Sequence, residues 1–319
     1  LSLLEKIDTF EYSYREAVAK LLEKMDAVNL YIEPKLSNPL MIAAWPGMGG
    51  VAIVAAKYLT ERLDAQELGS IEPDEFFDLG GVLIENSLVK EIGIPEGKFY
   101  FYESGEGNDL IVFMSEAQPH IKGYGLANLV LDVAQKFEVR RLYTFAAAPT
   151  HIYHTNKPKV LAAATSPKLV QELDKYDVTL LREGSISGLN GLLLGVAKKR
   201  NIEGICLLGE IPIYTTQIAN PRSSKAVLEV LTQMTGLEVD MNEIDSWTEE
   251  TDREIEEKMA HLRESFSEEA KELIDYFERL AEQTGAEEMQ PDYSTDELVK
   301  EIERFLREKG DKGQDKGGH

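Results

Sequence analysis

Cysteine is nearly missing. Cys206 is the one thiol in 319 residues, so no disulfide can form within the chain. It lies in "GICLLG", an apolar strand-like run, where a free cysteine acts as a small buried hydrophobe rather than a nucleophile. Such scarcity suits a reducing, cytoplasmic compartment. Basic residues are also few: 34 Lys and Arg face 57 Asp and Glu, a formal charge of −23. That balance argues against binding nucleic acid or anionic membrane, both of which attract positive surfaces. Basic partners or plain solubility remain. No apolar run approaches the ~20 residues that cross a bilayer. The start, "LSLLEKIDTF", carries acids where a signal peptide carries bases. Neither a Gly-x-Ser-x-Gly elbow nor a His-Glu-x-x-His zinc motif occurs.

What is present reads as an ordinary globular protein, with 43% hydrophobic and 29% charged residues. Residues 1–37 form a lead-in. Within them Tyr14, Val18, Leu21, Leu22, Met25 and Val28 repeat at helical spacing, so 11–28 is expected to be an amphipathic helix. Pro34 and Pro39 end it. Over 38–242 strand-like runs ("LMIAAW", "KFYFYES", "LIVFMS", "RRLYTFAAA", "VTLLRE", "EGICLLGE") alternate with helix-length segments at 49–64, 119–136, 187–200 and 222–236. This predicts an α/β core with a mostly parallel sheet covered on both faces. The stretch 66–104 has short runs among many turn residues, which predicts small antiparallel strands or a hairpin.

The composition then shifts. Residues 241–310 hold 23 Asp and Glu against 9 Lys and Arg. Apolar residues at Ile255, Met259, Leu262, Phe266, Ala270, Leu273, Phe277 and Leu280 step by three and four, close to a coiled-coil seam. Ser294 and Glu297 make a capping box for a second helix bearing Leu298, Ile302 and Phe305. Residues 243–310 are therefore expected to be an acidic helical hairpin, packed on its own core or against a neighbouring subunit. The polar, Gly-rich stretch 311–319 is expected to be disordered.

The junction "AWPGMGG" (44–50) links the first core strand to a helix. Pro46 fixes φ, and the glycines allow a tight turn and close packing. A helix start offers unpaired N–H groups and a positive dipole end to an anion. Gly47, Met48, Gly49 and Gly50 are thus candidate anion ligands, with Ser187 another. Val51-Ala52 stands where a P-loop needs Lys-Ser/Thr, which excludes that motif. Gly47, Gly49 and Ala52 satisfy the dinucleotide pattern, with Glu67 or Glu72 as its acid. Pro46 is not typical of that turn, however, and "QELGSIEPDE" makes a poor buried second strand. A structural corner is the favoured reading.

Ligands of open α/β sheets gather beyond the carboxyl ends of strands. Glu116, Glu210, His151, His154, Ser185, Ser187 and Asn220 fall there. Ser187 and Asn220 read most simply as helix caps. If Glu116, Glu210 and His154 shared one cavity, they could supply general acid–base catalysis. His151 and His154 sit in a loop-like stretch and lack a third ligand, so no metal or cofactor is expected.

The string "AWPGMGGVAIVAAKYL" followed by "IEPDEFFDL" resembles the signature of the proteasome assembly chaperone 2 family. "SEAQP", "HTNKP", "GSISGLNGLLLGVAKKRNIEGICLLGEIPIY" and "NPRSSKAVLEVL" follow in the family's order, over roughly 38–242. The resemblance implies a three-layer α/β/α sandwich similar to purine nucleoside phosphorylases, with no agreed enzymatic activity. It also implies homo-oligomers and a protein partner, with proteasome α subunits as the family's example. The chaperone branch docks through a hydrophobic–tyrosine–any tail, whereas this chain ends Lys316-Gly317-Gly318-His319. The family's His-Thr-Arg-Pro reads His154-Thr155-Asn156-Lys157-Pro158 here. The alternative to a non-catalytic binding protein is a nucleosidase- or phosphorylase-like enzyme holding an anion at 47–50.

Overall fold

The computed structural model describes residues 27–265 apart from 73–75, 78–81, 83, 91, 92 and 106, with the isolated residues 275, 279, 302, 303 and 307. Residues 11–26 of the expected helix, nearly all of the expected hairpin from Phe266 onward and the tail 311–319 lie outside the described residues. Val28 does not continue a helix: it opens strand β1 (Val28–Leu30).

After β1 come β2 (Leu40–Ala44), a 3-10 turn (Met48–Gly50), α1 (Val51–Arg62), β3 (Gln66–Ile71), the hairpin β4 (Ile84–Glu85) and β5 (Leu88–Val89), β6 (Gly97–Tyr102) and β7 (Leu110–Ser115). Then follow α2 (Gly123–Lys136), β8 (Arg141–Thr150), β9 (Val160–Ala164), α3 (Pro167–Leu173), β10 (Thr179–Leu180), α4 (Gly188–Lys199), β11 (Glu203–Pro212), α5 (Pro221–Thr235) and α6 (Asn242–Ser265). Nine strands form one sheet in the order β1-β3-β6-β7-β2-β8-β11-β9-β10. Its centre, β7-β2-β8-β11, is parallel throughout. The flanks β1-β3-β6 are antiparallel, and β6 meets β7 antiparallel.

Helices on both faces explain why "LMIAA" in β2 is apolar without alternation: all five residues are buried. One core lies between the sheet and α1, α5, with Ile42, Phe145, Leu59 and Leu231 among its members. The other lies against α2 and α4, with Met41, Phe113, Val130 and Leu193. Trp45, fully buried, closes the second core against Phe113 at a centroid distance of 5.1 Å.

The turn-rich stretch 66–104 contains the expected hairpin, but it also adds two six-residue strands to the main sheet. The strand after α1 is therefore informative. β3 lies three places from β2 and runs antiparallel to its neighbours. A dinucleotide fold instead returns its second strand parallel and adjacent to the first, so that reading of Gly47, Gly49 and Ala52 fails on topology. β9 and α3 were not legible as elements. Ser166 caps α3 by accepting from the Leu169 amide at 3.4 Å, and Pro167 occupies its first turn.

Candidate functional site

Strand β2 ends at Ala44, and the chain turns through Trp45–Gly50 into α1. Gly49 and Gly50 both have φ of 61°, the left-handed region that favours glycine. A Cβ on Gly49 would lie 2.8 Å from Asn220 Nδ2 and 3.1 Å from Ile211 Cδ1. The corner's own amides are committed. Gly49 N–H donates to the Thr216 carbonyl at 2.6 Å, and Gly50 N–H to the Gly47 carbonyl at 3.0 Å. The Gly49 carbonyl accepts from Asn220 N–H at 2.8 Å. Gly47 and Met48 are exposed, while Gly49 is buried.

Two side chains clamp this corner from other elements, and a third braces the turn that packs on it. Asn190, near the start of α4, accepts from Trp45 N–H at 3.1 Å and donates to the Trp45 carbonyl at 3.3 Å. It imitates a neighbouring strand for one residue beyond β2. Gln118, past the end of β7, donates to the Pro46 carbonyl at 2.7 Å and accepts from Leu189 N–H at 3.0 Å. Asn220 donates to the carbonyls of Thr215 and Ile218 and accepts from the Thr215 hydroxyl. Sequence reasoning missed Asn190 and Gln118. The available signal was a single amide side chain inside the apolar run "GLNGLLLG", which must find partners once buried.

Ser187 and Asn220 hold the N-cap positions of α4 and α5, but neither side chain makes a cap bond. Gln118 reaches the first turn of α4 in place of Ser187, which is exposed. Asn220 is turned into the 3-10 turn at Ile213–Thr215 instead.

The three polar candidates occupy separate posts. Glu116 is exposed and accepts from Glu96 N–H at 3.1 Å. Glu210 lies inside β11 and accepts from the Thr150 hydroxyl at 2.9 Å and from Lys159 N–H at 3.0 Å, so its two oxygens tie the end of β8 and the residue before β9 to β11. His154 is buried, with Nδ1 3.0 Å from the Tyr214 hydroxyl. Its Nε2 lies 3.2 Å from Glu256 Oε1 of α6, at an angle that makes no hydrogen bond. Burial, helped by the positive charge of Arg222, pushes the His154 pKa down to about 4. The ring is therefore neutral at pH 7, and its contact with Glu256 is not an ion pair. Among the described residues these three groups share no hydrogen-bond partner. No cluster of three His, Cys, Asp or Glu side chains able to hold a metal occurs there either.

Comparisons with known proteins bear on this arrangement. Uncharacterized protein MJ1210 of Methanocaldococcus jannaschii is 28% identical over 218 residues, 67% of this chain and 80% of that protein. The crystal structure of Pyrococcus furiosus PbaB, described as an archaeal proteasome activator, superposes with a TM-score of 0.62 at 31% identity. It covers 72% of this chain and 97% of PbaB. Pyrococcus furiosus PbaA, described as an archaeal homolog of proteasome-assembly chaperone, gives a TM-score of 0.57 at 25% identity, over 80% of this chain and 99% of PbaA. The profile of the PAC2 family matches residues 41–259, from within β2 to the Met259 turn of α6. On that match and on its likeness to PbaB, the chain belongs to the PAC2 family.

Proposed function

We propose that the chain is a non-catalytic, self-associating protein that acts through protein–protein contacts in the manner of a proteasome-assembly chaperone. Proteasome α subunits are its partner in this reading, and the cytoplasm its place of action. The observation that carries it is the corner at Trp45–Gly50. The feature best suited to cradle a phosphate gives its Gly49 and Gly50 amides to its own chain and is held by Asn190, Gln118 and Asn220. That Glu116, Glu210 and His154 share no hydrogen-bond partner among the described residues weighs in the same direction. So does the proteasome-related description of PbaB. No helix of the described residues is long and apolar enough to cross a membrane.

Native mass spectrometry of the full chain, alone and with proteasome 20S particles or free α subunits, tests the proposal. Multimers of the chain and a defined complex with α subunits are the expected result. A monomer that leaves both proteasome preparations unbound at tens of micromolar overturns it.

A further inference from the structure

Sheet strands β6 and β7 are covered unequally. Along β6, Gly97, Phe99 and Phe101 are buried while Lys98, Tyr100 and Tyr102 are only half-buried. The buried set faces the core containing α2. On the opposite face α1 packs against α5, and among the described residues no helix lies on the other side of α1, over β6. The result is a trough of about 670 Å³ between α1 and the sheet. One face of α1 forms its wall, with Ile53, Lys57, Thr60 and Glu61 at helical spacing and Asp64 just past the helix end. Its floor is Tyr100 and Met114.

We propose that this trough docks an amphipathic helix of another protein, one that carries Lys or Arg beside its apolar stripe. The proposal rests on the reading of the chain as a protein-binding protein and names the chemistry of one partner segment. An added strand does not fit. β6 is hydrogen-bonded to both β3 and β7, and β7 to both β6 and β2, so no backbone edge is offered and only side chains can be read. A helix seated 8–10 Å from α1 would cover the half-exposed rungs of Tyr100 and Met114. Charge selects its flanks. The two lysines of the trough already face carboxylates, Lys57 to Glu61 at 3.8 Å and Lys98 to Glu96 at 2.7 Å. Asp64 and Glu116 add two further carboxylates to the lining, which favours a basic flank.

The test uses a fluorescent 18-residue helical peptide with a leucine stripe flanked by lysines, and the same stripe flanked by glutamates. Binding to the full chain is read by anisotropy. The lysine peptide is expected to bind at least tenfold more tightly than the glutamate peptide. The double variant E61K/E116K should weaken it roughly five- to tenfold, the effect of two lost surface charge pairs. The control E249K/E250K, with the same charge change at exposed positions on α6, should leave it unchanged. Equal losses in the two variants overturn the proposal, because general charge attraction then explains binding. In a second measurement a photo-crosslinker replaces Met114. Crosslinks to the added peptide support the trough as its seat. Crosslinks to residues 1–26 of the same chain, or to a second copy, that persist with the peptide in excess overturn it. No proteasome is in the assay, so its outcome and that of the α-subunit test are independent.

Discussion

Asn190 is 4% exposed in an apolar helix, and both ends of its amide hold the backbone of Trp45. Replacing it by Leu leaves two buried backbone groups without partners, each worth about 1–3 kcal/mol. Urea unfolding of N190L should show a loss of about 2–4 kcal/mol with an unchanged slope. Gly49→Ala combines a left-handed φ with a 2.8 Å approach to Asn220. It should destabilise by more than the ~1 kcal/mol of a simple Gly-to-Ala strain at positive φ. Cys206 shows the opposite kind of residue. Burial pushes its thiol up to about 12, with the Thr144 hydroxyl lowering it slightly. A thiol reagent at pH 8 should therefore react only as fast as the protein unfolds.

His154 couples pH to stability. Its folded pKa of about 4 lies below the ordinary 6.5, so the unfolded chain binds a proton that the folded chain refuses. The loss begins as pH falls below 6.5, grows down to about 4, and is absent above 7. Its full size is roughly 3 kcal/mol for a shift of this order. Glu172 contributes lower down. Its hydrogen bond to Arg141 holds its carboxyl below the usual range, so that support is present above about 4.5 and lost as pH falls further. Denaturant midpoints between pH 7 and 5 should fall for the wild type and stay nearly level for H154N.

At the scale of elements, α6 is docked on the core it belongs to. Tyr58 of α1 donates to the Asp240 carbonyl at 2.7 Å, and Arg62 meets Glu243 at 2.8 Å. Lys225 and Arg222 of α5 pair with Asp245 and Asp252. Tyr153, after β8, donates to Glu256 at 2.9 Å. Ile244, Ile255 and Met259 of the predicted or adjoining stripe are buried. Ile244→Ala should cost about 2–4 kcal/mol, as for other buried aliphatics, and the thermal transition should remain single. A separate early transition would mean that α6 unfolds as an independent unit. At the far end of the strands, Arg141 grips Glu172 and Glu203 together, at 2.6 and 2.9 Å. This cluster pins α3 to the starts of β8 and β11. Removing its cation in R141M leaves Glu172 without its partner while Glu203 keeps Lys168 at 3.3 Å, and should cost about 1–3 kcal/mol.

At the scale of the molecule, apolar patterning made the parallel centre of the sheet legible, because strands buried on both faces read as unbroken hydrophobic runs. The same signal failed for β3, whose "QELGSI" mixes exposed Gln66 and Glu67 with buried Leu68. It failed for β1 too, which follows directly on a helical pattern. Short flanking strands take their place from pairing with β6 and β3 rather than from their own residues. The candidate site was half legible. Its glycines announced a corner, but their amide partners came from positions 118, 190, 216 and 220, distant in sequence. Glu116 and His154 lie beyond strand ends as expected, but Glu210 lies inside β11, because the strand runs on past the apolar "GICLLG" to Pro212.

Composition and periodicity alone determined the α/β class, the acidic surface and the inert thiol, since burial and helix spacing are local properties of the chain. Tertiary structure decided the strand order, the pairing of the corner amides and the open trough beside α1. Those depend on which distant segments meet, and no local pattern records a hydrogen bond made across 145 residues.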